Sequence, residues 1–175
     1  MNGVRIRQAG PEELDRVVEL WLEARQWLAS RGSEQWQYPP RRERMAAAVQ
    51  EGECHLAFVG GRLAGSVTLQ EKGDPEWWAA DEPASALYVH DLMVRRDFAG
   101  QRLGGRLLDW SGEVAGGQGK PWLRLEAWKN NRALHRYYLD QGFALLRIVD
   151  LPHRNSGALF QRRSAPLLRP DDTSV

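Results

Sequence analysis

Cysteine is nearly absent from this chain. Cys54 is the single one among 175 residues, which excludes an internal disulfide and a cysteine zinc cluster and fits a reducing compartment. Long apolar runs are missing too. No stretch could span a bilayer, and Met1 to Gln8 lacks the apolar core of a signal peptide, so a soluble, cytoplasmic protein with no membrane partner is expected. Net charge is scarce, at +1, so no global field points to nucleic acid. Lysine is rare: only Lys72, Lys120 and Lys129 occur beside many arginines. No acidic run marks a polyamine site, and no extended basic groove marks a nucleic acid. The glycine loop lacks a Gly-Lys-Ser/Thr ending and the dinucleotide spacing, which argues against a nucleotide-phosphate enzyme. No internal repeat and no linker divides the chain.

What is present centres on Leu92-Met93-Val94-Arg95-Arg96-Asp97-Phe98-Ala99-Gly100-Gln101-Arg102-Leu103-Gly104-Gly105-Arg106-Leu107-Leu108. It reads as strand, glycine loop, helix. Tyr88 to Val94 is β-rich, and Leu103, Leu107, Trp110 and Val114 recur at helical spacing as one buried stripe. A helix start delivered beside a strand end presents unpaired N–H groups and a positive dipole end, which suit a phosphate. Gly100, Gly104 and Gly105 remove side chains where a ligand would approach the backbone. An ordinary strand-to-helix turn with glycines for packing is the competing reading.

Around it, the pattern predicts alternating strands and helices. Val4 to Gln8 alternates as a strand. Gly10-Pro11-Glu12-Glu13 opens a helix with proline and acids in its first turn, ending near Ser30-Arg31-Gly32. Ser33 to Pro40 is a loop carrying Trp36 and Tyr38, and Arg41 to Gln50 a second helix. His55 to Val59 and Arg62 to Leu69 flank Gly60-Gly61 as a hairpin, with Leu63, Gly65, Val67 and Leu69 on one face. Glu71 to Ser85, holding Trp77 and Trp78, reads as a loop or insertion. Ala86 to Val94 is the strand feeding the glycine loop. Pro121 to Trp128 is a strand with Leu123 and Leu125 facing opposite to Arg124 and Glu126. Asn130-Asn131 caps a helix running to about Asp140, followed by strands from Phe143 to Asp150 and Gly157 to Arg163. The alternation argues for a mixed α/β sheet in one domain, with 1–164 as the folded domain and 165–175 as a flexible tail.

A second segment, Asn130-Asn131-Arg132-Ala133-Leu134-His135-Arg136-Tyr137-Tyr138-Leu139-Asp140-Gln141-Gly142-Phe143, changes the weight of the first. Together with the glycine loop and the strand between, it resembles the GNAT N-acetyltransferase superfamily, over roughly Ala86 to Arg163. That family's loop follows Arg/Gln-x-x-Gly-x-Gly/Ala. Here Ala99-Gly100-Gln101-Arg102-Leu103-Gly104 stands in its place, so Ala99 replaces the Arg or Gln and Arg102 replaces a glycine. The resemblance implies a single-domain acyl-CoA N-acyltransferase fold, an α+β mixed sheet of about seven strands with helices on both faces and a splay between the fourth and fifth strands. It implies acetyl-CoA as co-substrate, no metal, and a small-molecule or peptide amine as acceptor, the protein being a monomer or homodimer. Pantetheine would pair with backbone groups along Leu92, Met93 and Val94, and the diphosphate would sit on N–H groups across Ala99, Gly100, Gln101, Arg102, Gly104 and Gly105. Asn131 would lie near the pantetheine arm, with His135 and Arg136 on the surface.

Amide formation needs an unprotonated amine, a stabilised oxyanion and a protonated leaving thiolate. Tyr138, five residues before Phe143, aligns with the family tyrosine and can donate that proton; packing of its helix is the alternative. Tyr137 points about 100° away around the helix and packs. The family's strand carboxylate aligns with Tyr88, so the usual base is missing. By strand alternation Tyr88, His90 and Leu92 share a face and Asp91 takes the other. His90, with an ordinary pKa of about 6.5, is the base candidate; Asp91, Glu126 and water stay open. Trp36, Tyr38 and Trp128, with the Trp77-Trp78 insertion, could line an acceptor pocket for an aromatic or cationic amine. The reading is an N-acetyltransferase acting on a primary amine by direct attack. The departures at Ala99 and Arg102 and the missing carboxylate motivate the alternative, a non-catalytic acyl-CoA-binding or interaction module.

Overall fold

Short apolar runs separated by glycine turns assemble a seven-stranded mixed sheet in the computed structural model, which describes residues 3–81 and 85–164. The strands lie in the order β1-β2-β3-β4-β5-β7-β6. They are β1 (Val4–Gln8), β2 (Cys54–Val59), β3 (Arg62–Gln70), β4 (Ala86–Val94), β5 (Trp122–Trp128), β6 (Ala144–Ile148) and β7 (Ser156–Arg163). The helices are α1 (Leu14–Ser30), α2 (Arg42–Gln50), α3 (Pro75–Trp78), α4 (Leu103–Gly117) and α5 (Arg132–Asp140). Strands β1 to β3 pair antiparallel, as do β5, β7 and β6. Between β4 and β5 the pairing is parallel and short: Ala86, Leu87 and Tyr88 face Trp122, Leu123 and Arg124, while β4 continues to Val94 and β5 to Trp128. This matches the expected splay between the fourth and fifth strands. Among the described residues no helix is long and apolar enough to cross a membrane. The predicted tail, 165–175, lies outside the described residues.

The chain forms two compact units, residues 3–69 with 90–107 and residues 70–89 with 108–164. In the first, α1 contributes Val17, Val18, Leu20 and Trp21 to a core shared with Met45, Ala48 and Val49 of α2, Leu56 of β2 and Met93 of β4. Its entry turn is tied by Glu13, whose carboxylate accepts both Arg7 guanidinium nitrogens at 2.7 and 2.8 Å and the Gly10 N–H at 3.0 Å. Those donors hold the Glu13 pKa down at about 2. Alternation divides β3 into two faces, one of them carrying Leu63, Gly65, Val67 and Leu69. Both are buried, with Ala64, Ser66 and Thr68 covered as well as Val67 and Leu69, because β3 is a central strand of the sheet.

In the second unit, Trp77 and Trp78 are not loop side chains. The Asp74 carboxylate caps the one-turn helix α3 by accepting the Glu76 N–H, and both tryptophans are buried with Ala86, Tyr88 and Leu159. Arg124 is also buried, at 4% exposure, although it stands on the face opposite to Leu123 and Leu125. Its Nη1 donates to the Tyr88 hydroxyl at 3.0 Å and its Nε to Gln161 Oε1 at 2.8 Å, and it lies 5.4 Å from the Trp78 ring centroid. These polar and aromatic contacts offset the cost of burying the cation.

The face of α4 differs from the stripe read by hydrophobicity. Leu103, Leu107, Leu108, Ser111, Gly112 and Ala115 are buried, while Trp110 and Val114 sit half-buried beside them. The reason is close approach: a Cβ at Gly112 would meet the Ser164 carbonyl oxygen at 2.4 Å. Small residues, not only large apolar ones, mark this face. Arg162 of β7 anchors the same region by donating to the carbonyls of Leu108 at 2.9 Å and Gln141 at 2.8 Å.

Candidate functional site

In the first unit, strand β4 enters the glycine loop through a distorted end. Asp91 has φ +46°, a left-handed value that no extended L-residue takes. The two-residue alternation therefore does not run through Asp91, and the expectation that Tyr88, His90 and Leu92 share one face fails there. His90, Leu92 and Val94 are half-buried, and the Met93 side chain is in the core. Met93 therefore has only its backbone to offer a ligand. That backbone is itself crowded, since a Cβ at Gly65 would meet the Met93 carbonyl oxygen at 2.4 Å. Beyond it the Arg95 N–H donates to the Ala64 carbonyl at 2.8 Å, so β4 is held to β3 up to the loop.

The loop begins with a 3-10 turn at Arg96–Phe98, its Phe98 ring buried. The Asp97 carboxylate accepts from Arg62 at 2.5 Å, and its main-chain carbonyl accepts from the Gln101 side-chain amide at 3.4 Å. Gly100 follows at φ +77° with open space where a Cβ would stand. Arg102, at the position where the resemblance expects glycine, has φ +59° and is exposed. The Arg106 N–H donates to the Arg102 carbonyl at 3.1 Å. The N–H groups of Leu103, Gly104 and Gly105 precede that helical bond, at the positive end of α4. The arrangement can hold an anion on backbone donors.

The segment from Ser33 to Arg41 belongs to the same unit. Trp36 stacks on Trp21 at 5.7 Å between ring centroids and 10° between planes, in a left-handed backbone with φ +61°. Tyr38 tilts on Trp21 at 5.7 Å and is 39% exposed. Partial burial raises the Tyr38 pKa, with Asp91 adding to the rise while Arg41 and Arg44 oppose it. The Arg41 guanidinium lies 5.4 Å from the Tyr38 ring centroid. Nothing in the sequence reading singled out Arg41 and Arg44; the signal was three arginines, Arg41, Arg42 and Arg44, within six residues of Tyr38.

In the second unit, Asn131 caps α5, its Oδ1 accepting the Leu134 N–H at 3.0 Å. Tyr138 is buried on the inner face of α5, its ring 5.7 Å from Phe143 and 5.5 Å from Phe160. Burial pushes its phenol pKa up, and the nearby Tyr137 and Glu126 push in the same direction. The phenol therefore stays a proton donor across the neutral range. His135, expected on the surface, is half-buried instead. Its Nε2–H donates to the Trp128 carbonyl at 2.8 Å and its ring packs 5.6 Å from Phe160, because the i, i+3 neighbours of Tyr138 share its inward side. Arg136 is exposed as expected, beside Asp140. Trp128 is half-buried at the end of β5, and Glu126 accepts from the Trp78 indole at 3.1 Å. Tyr88, aligned with the missing carboxylate, is a fully buried core residue.

The first unit contains His90, the end of β4 from Asp91 to Val94, the loop amides, Trp36 and Tyr38. The second holds Asn131, Trp128 and Tyr138. Trp77 and Trp78 are spent on the core and offer no wall to an acceptor. Among the described residues no group of three His, Cys, Asp or Glu side chains could hold a metal ion.

Comparison with known proteins bears on the family and the fold. The sequence profile described as the Acetyltransferase (GNAT) family matches residues 18–143. An uncharacterized N-acetyltransferase of Bacillus subtilis, YesJ, is 28% identical over 141 residues, covering 77% of this chain and 78% of its own. Among solved structures, a GNAT-family acetyltransferase of Streptococcus agalactiae superposes with a TM-score of 0.76 at 24% identity, over 92% of this chain and 95% of that one. The PaiA N-acetyltransferase of Thermoplasma acidophilum, solved in complex with coenzyme A, gives 0.70 at 16% identity, over 92% and 99%.

Proposed function

This chain belongs to the acetyltransferase (GNAT) family and is an acyltransferase; from that premise we propose that it moves an acetyl group from acetyl-CoA to a primary amine by direct attack. The observation that carries the donor is the row of N–H groups ahead of Arg106, reached through left-handed Gly100. Such donors fit a diphosphate, and the open space at Gly100 leaves room for it. The coenzyme A bound in the Thermoplasma acidophilum neighbour supports an acyl-CoA as the class.

The assignments follow. Backbone groups of Ala99, Gly100, Gln101, Arg102, Gly104 and Gly105 hold the diphosphate. Backbone groups of Leu92, Met93 and Val94 take the pantetheine amides, Asn131 is assigned to the same arm, and an N–H of Leu92 or Val94 stabilises the negative charge that develops on the thioester oxygen. His90 receives the ammonium proton, directly or through water. The amine nitrogen then forms its bond to the thioester carbon, the carbon–sulfur bond breaks as the Tyr138 hydroxyl gives its proton to the departing thiolate, and the second proton shed by the amide nitrogen restores the phenol. Trp36, Tyr38 and Trp128 receive the acceptor.

Calorimetry with acetyl-CoA followed by free-thiol release over an amine panel tests this. Saturable donor binding and amine-dependent thiol release are expected. Binding with no turnover of any amine would remove the transferase assignment from these residues, and absence of binding would remove the donor.

A further inference from the structure

We propose that the acceptor is an amine that also carries a carboxylate, as amino acids and acidic peptides do, and that Arg41 and Arg44 read that carboxylate while Asp91 holds the ammonium. The inference rests on the acetyl-transfer reading above and adds the acceptor's chemistry. All the residues involved belong to the first unit.

Three observations converge. The first is an aromatic wall. Trp36 stacks on Trp21 and Tyr38 tilts against the same Trp21 ring, Tyr38 being exposed. The strained φ of Trp36 is held by that stack and by the core against which its ring packs.

The second is a pair of exposed guanidinium groups at that wall. Arg41 lies over the Tyr38 ring, and Arg44 is close enough for its charge to act on the Tyr38 hydroxyl. Neither has a carboxylate partner among the described residues, whereas Arg42 between them is taken by Asp15 at 2.5 Å. Guanidinium forks match a carboxylate geometrically, and an aromatic floor beneath them limits the rotamer freedom that binding would remove.

The third is Asp91. Its carboxylate is half-buried, at a left-handed position in β4, and makes no hydrogen bond or ion pair among the described residues. Its charge acts on the Tyr38 hydroxyl too. Met93, two residues on, packs in the cluster that includes Trp21 and Met45 and receives Trp36, so β4 and the aromatic wall converge on one core. A partly desolvated carboxylate gains most from a cationic partner. One negative and two positive groups around an aromatic wall complement a molecule with an ammonium and a carboxylate. A plain alkylamine would leave both guanidinium groups unmatched.

The test measures kcat/KM for thiol release with acetyl-CoA and three matched acceptor sets: free amino acids such as phenylalanine and glutamate, their carboxamides, and acidic peptides with a free N-terminus. The wild-type protein should prefer the carboxylate-bearing member of a matched pair by about tenfold or more, the effect of one charge-assisted hydrogen bond. In R41A/R44A the acid-to-amide ratio should collapse towards one, and in R41K/R44K it should partly return. D91N should raise the acceptor KM while calorimetric acetyl-CoA affinity is unchanged. Preference for amino acids over peptides, or the reverse, identifies the source of the carboxylate and supports the proposal either way. Equal use of acids and amides, or a ratio that survives in R41A/R44A, overturns it while leaving acetyl transfer standing. If acetyl-CoA does not bind, the donor reading fails and this inference falls with it.

Discussion

Two titrating side chains show how environment sets a residue's role. Tyr138 is enclosed by Phe143 and Phe160, and burial raises its pKa above the ordinary phenol value of about 10. A raised pKa keeps the acid form available, so any loss of kcat below about pH 10 belongs to another group. Y138F should lower kcat by about 10²-fold or more with little change in donor KM; an unaltered kcat would show that the ring only packs. Glu13 is the opposite case. Its folded pKa of about 2 is depressed by the Arg7 hydrogen bonds, so it contributes stability that is fully present above the ordinary carboxylate value of about 4.3. That contribution is lost as pH falls through this window towards about 2. Because Arg7 is partly exposed, the contribution is roughly 1–3 kcal/mol. E13Q should therefore melt lower than wild type at neutral pH and converge with it at acid pH. A constant gap across the titration would assign the loss to packing alone.

At the level of elements, close backbone approach decides more than side-chain hydrophobicity. The β3–β4 contact depends on Gly65, whose missing Cβ makes room for the Met93 carbonyl. G65A should cost about 1–3 kcal/mol in urea unfolding, because the atom it meets is backbone and cannot swing away. An unchanged midpoint would mean that the two strands separate without cost. The same physics explains α4. Its period was legible, but Ser111, Gly112 and Ala115 outrank Trp110 and Val114 on the buried side, and a hydrophobicity scale does not register a need for small volume. In α3 the misreading ran the other way. Proline, aspartate and glycine around Trp77-Trp78 are turn residues, yet a capped single turn is enough to bury two indoles.

Over the whole molecule, the order of strands and helices was readable because each rests on local chemistry. Glycine punctuates the turns, Pro11 opens the first helix, Asn131 caps the last, and apolar runs of strand length fill the sheet between. The glycine loop and the Tyr138 segment were visible for the same reason, since each is a short contiguous motif. Burial of Arg124 and the partners of His135 were not visible, because they depend on neighbours 36 and 37 residues from Arg124 and 7 residues from His135. By itself, then, the sequence determined the succession of elements, the glycine loop and the kinship with acyltransferases, all carried by spacing along the chain. Only the tertiary structure decided that Asp91 breaks the strand's alternation and that its charge, with those of Arg41 and Arg44, acts on Tyr38. Electrostatic and packing energies fall with distance through space, and separation along the chain does not report that distance.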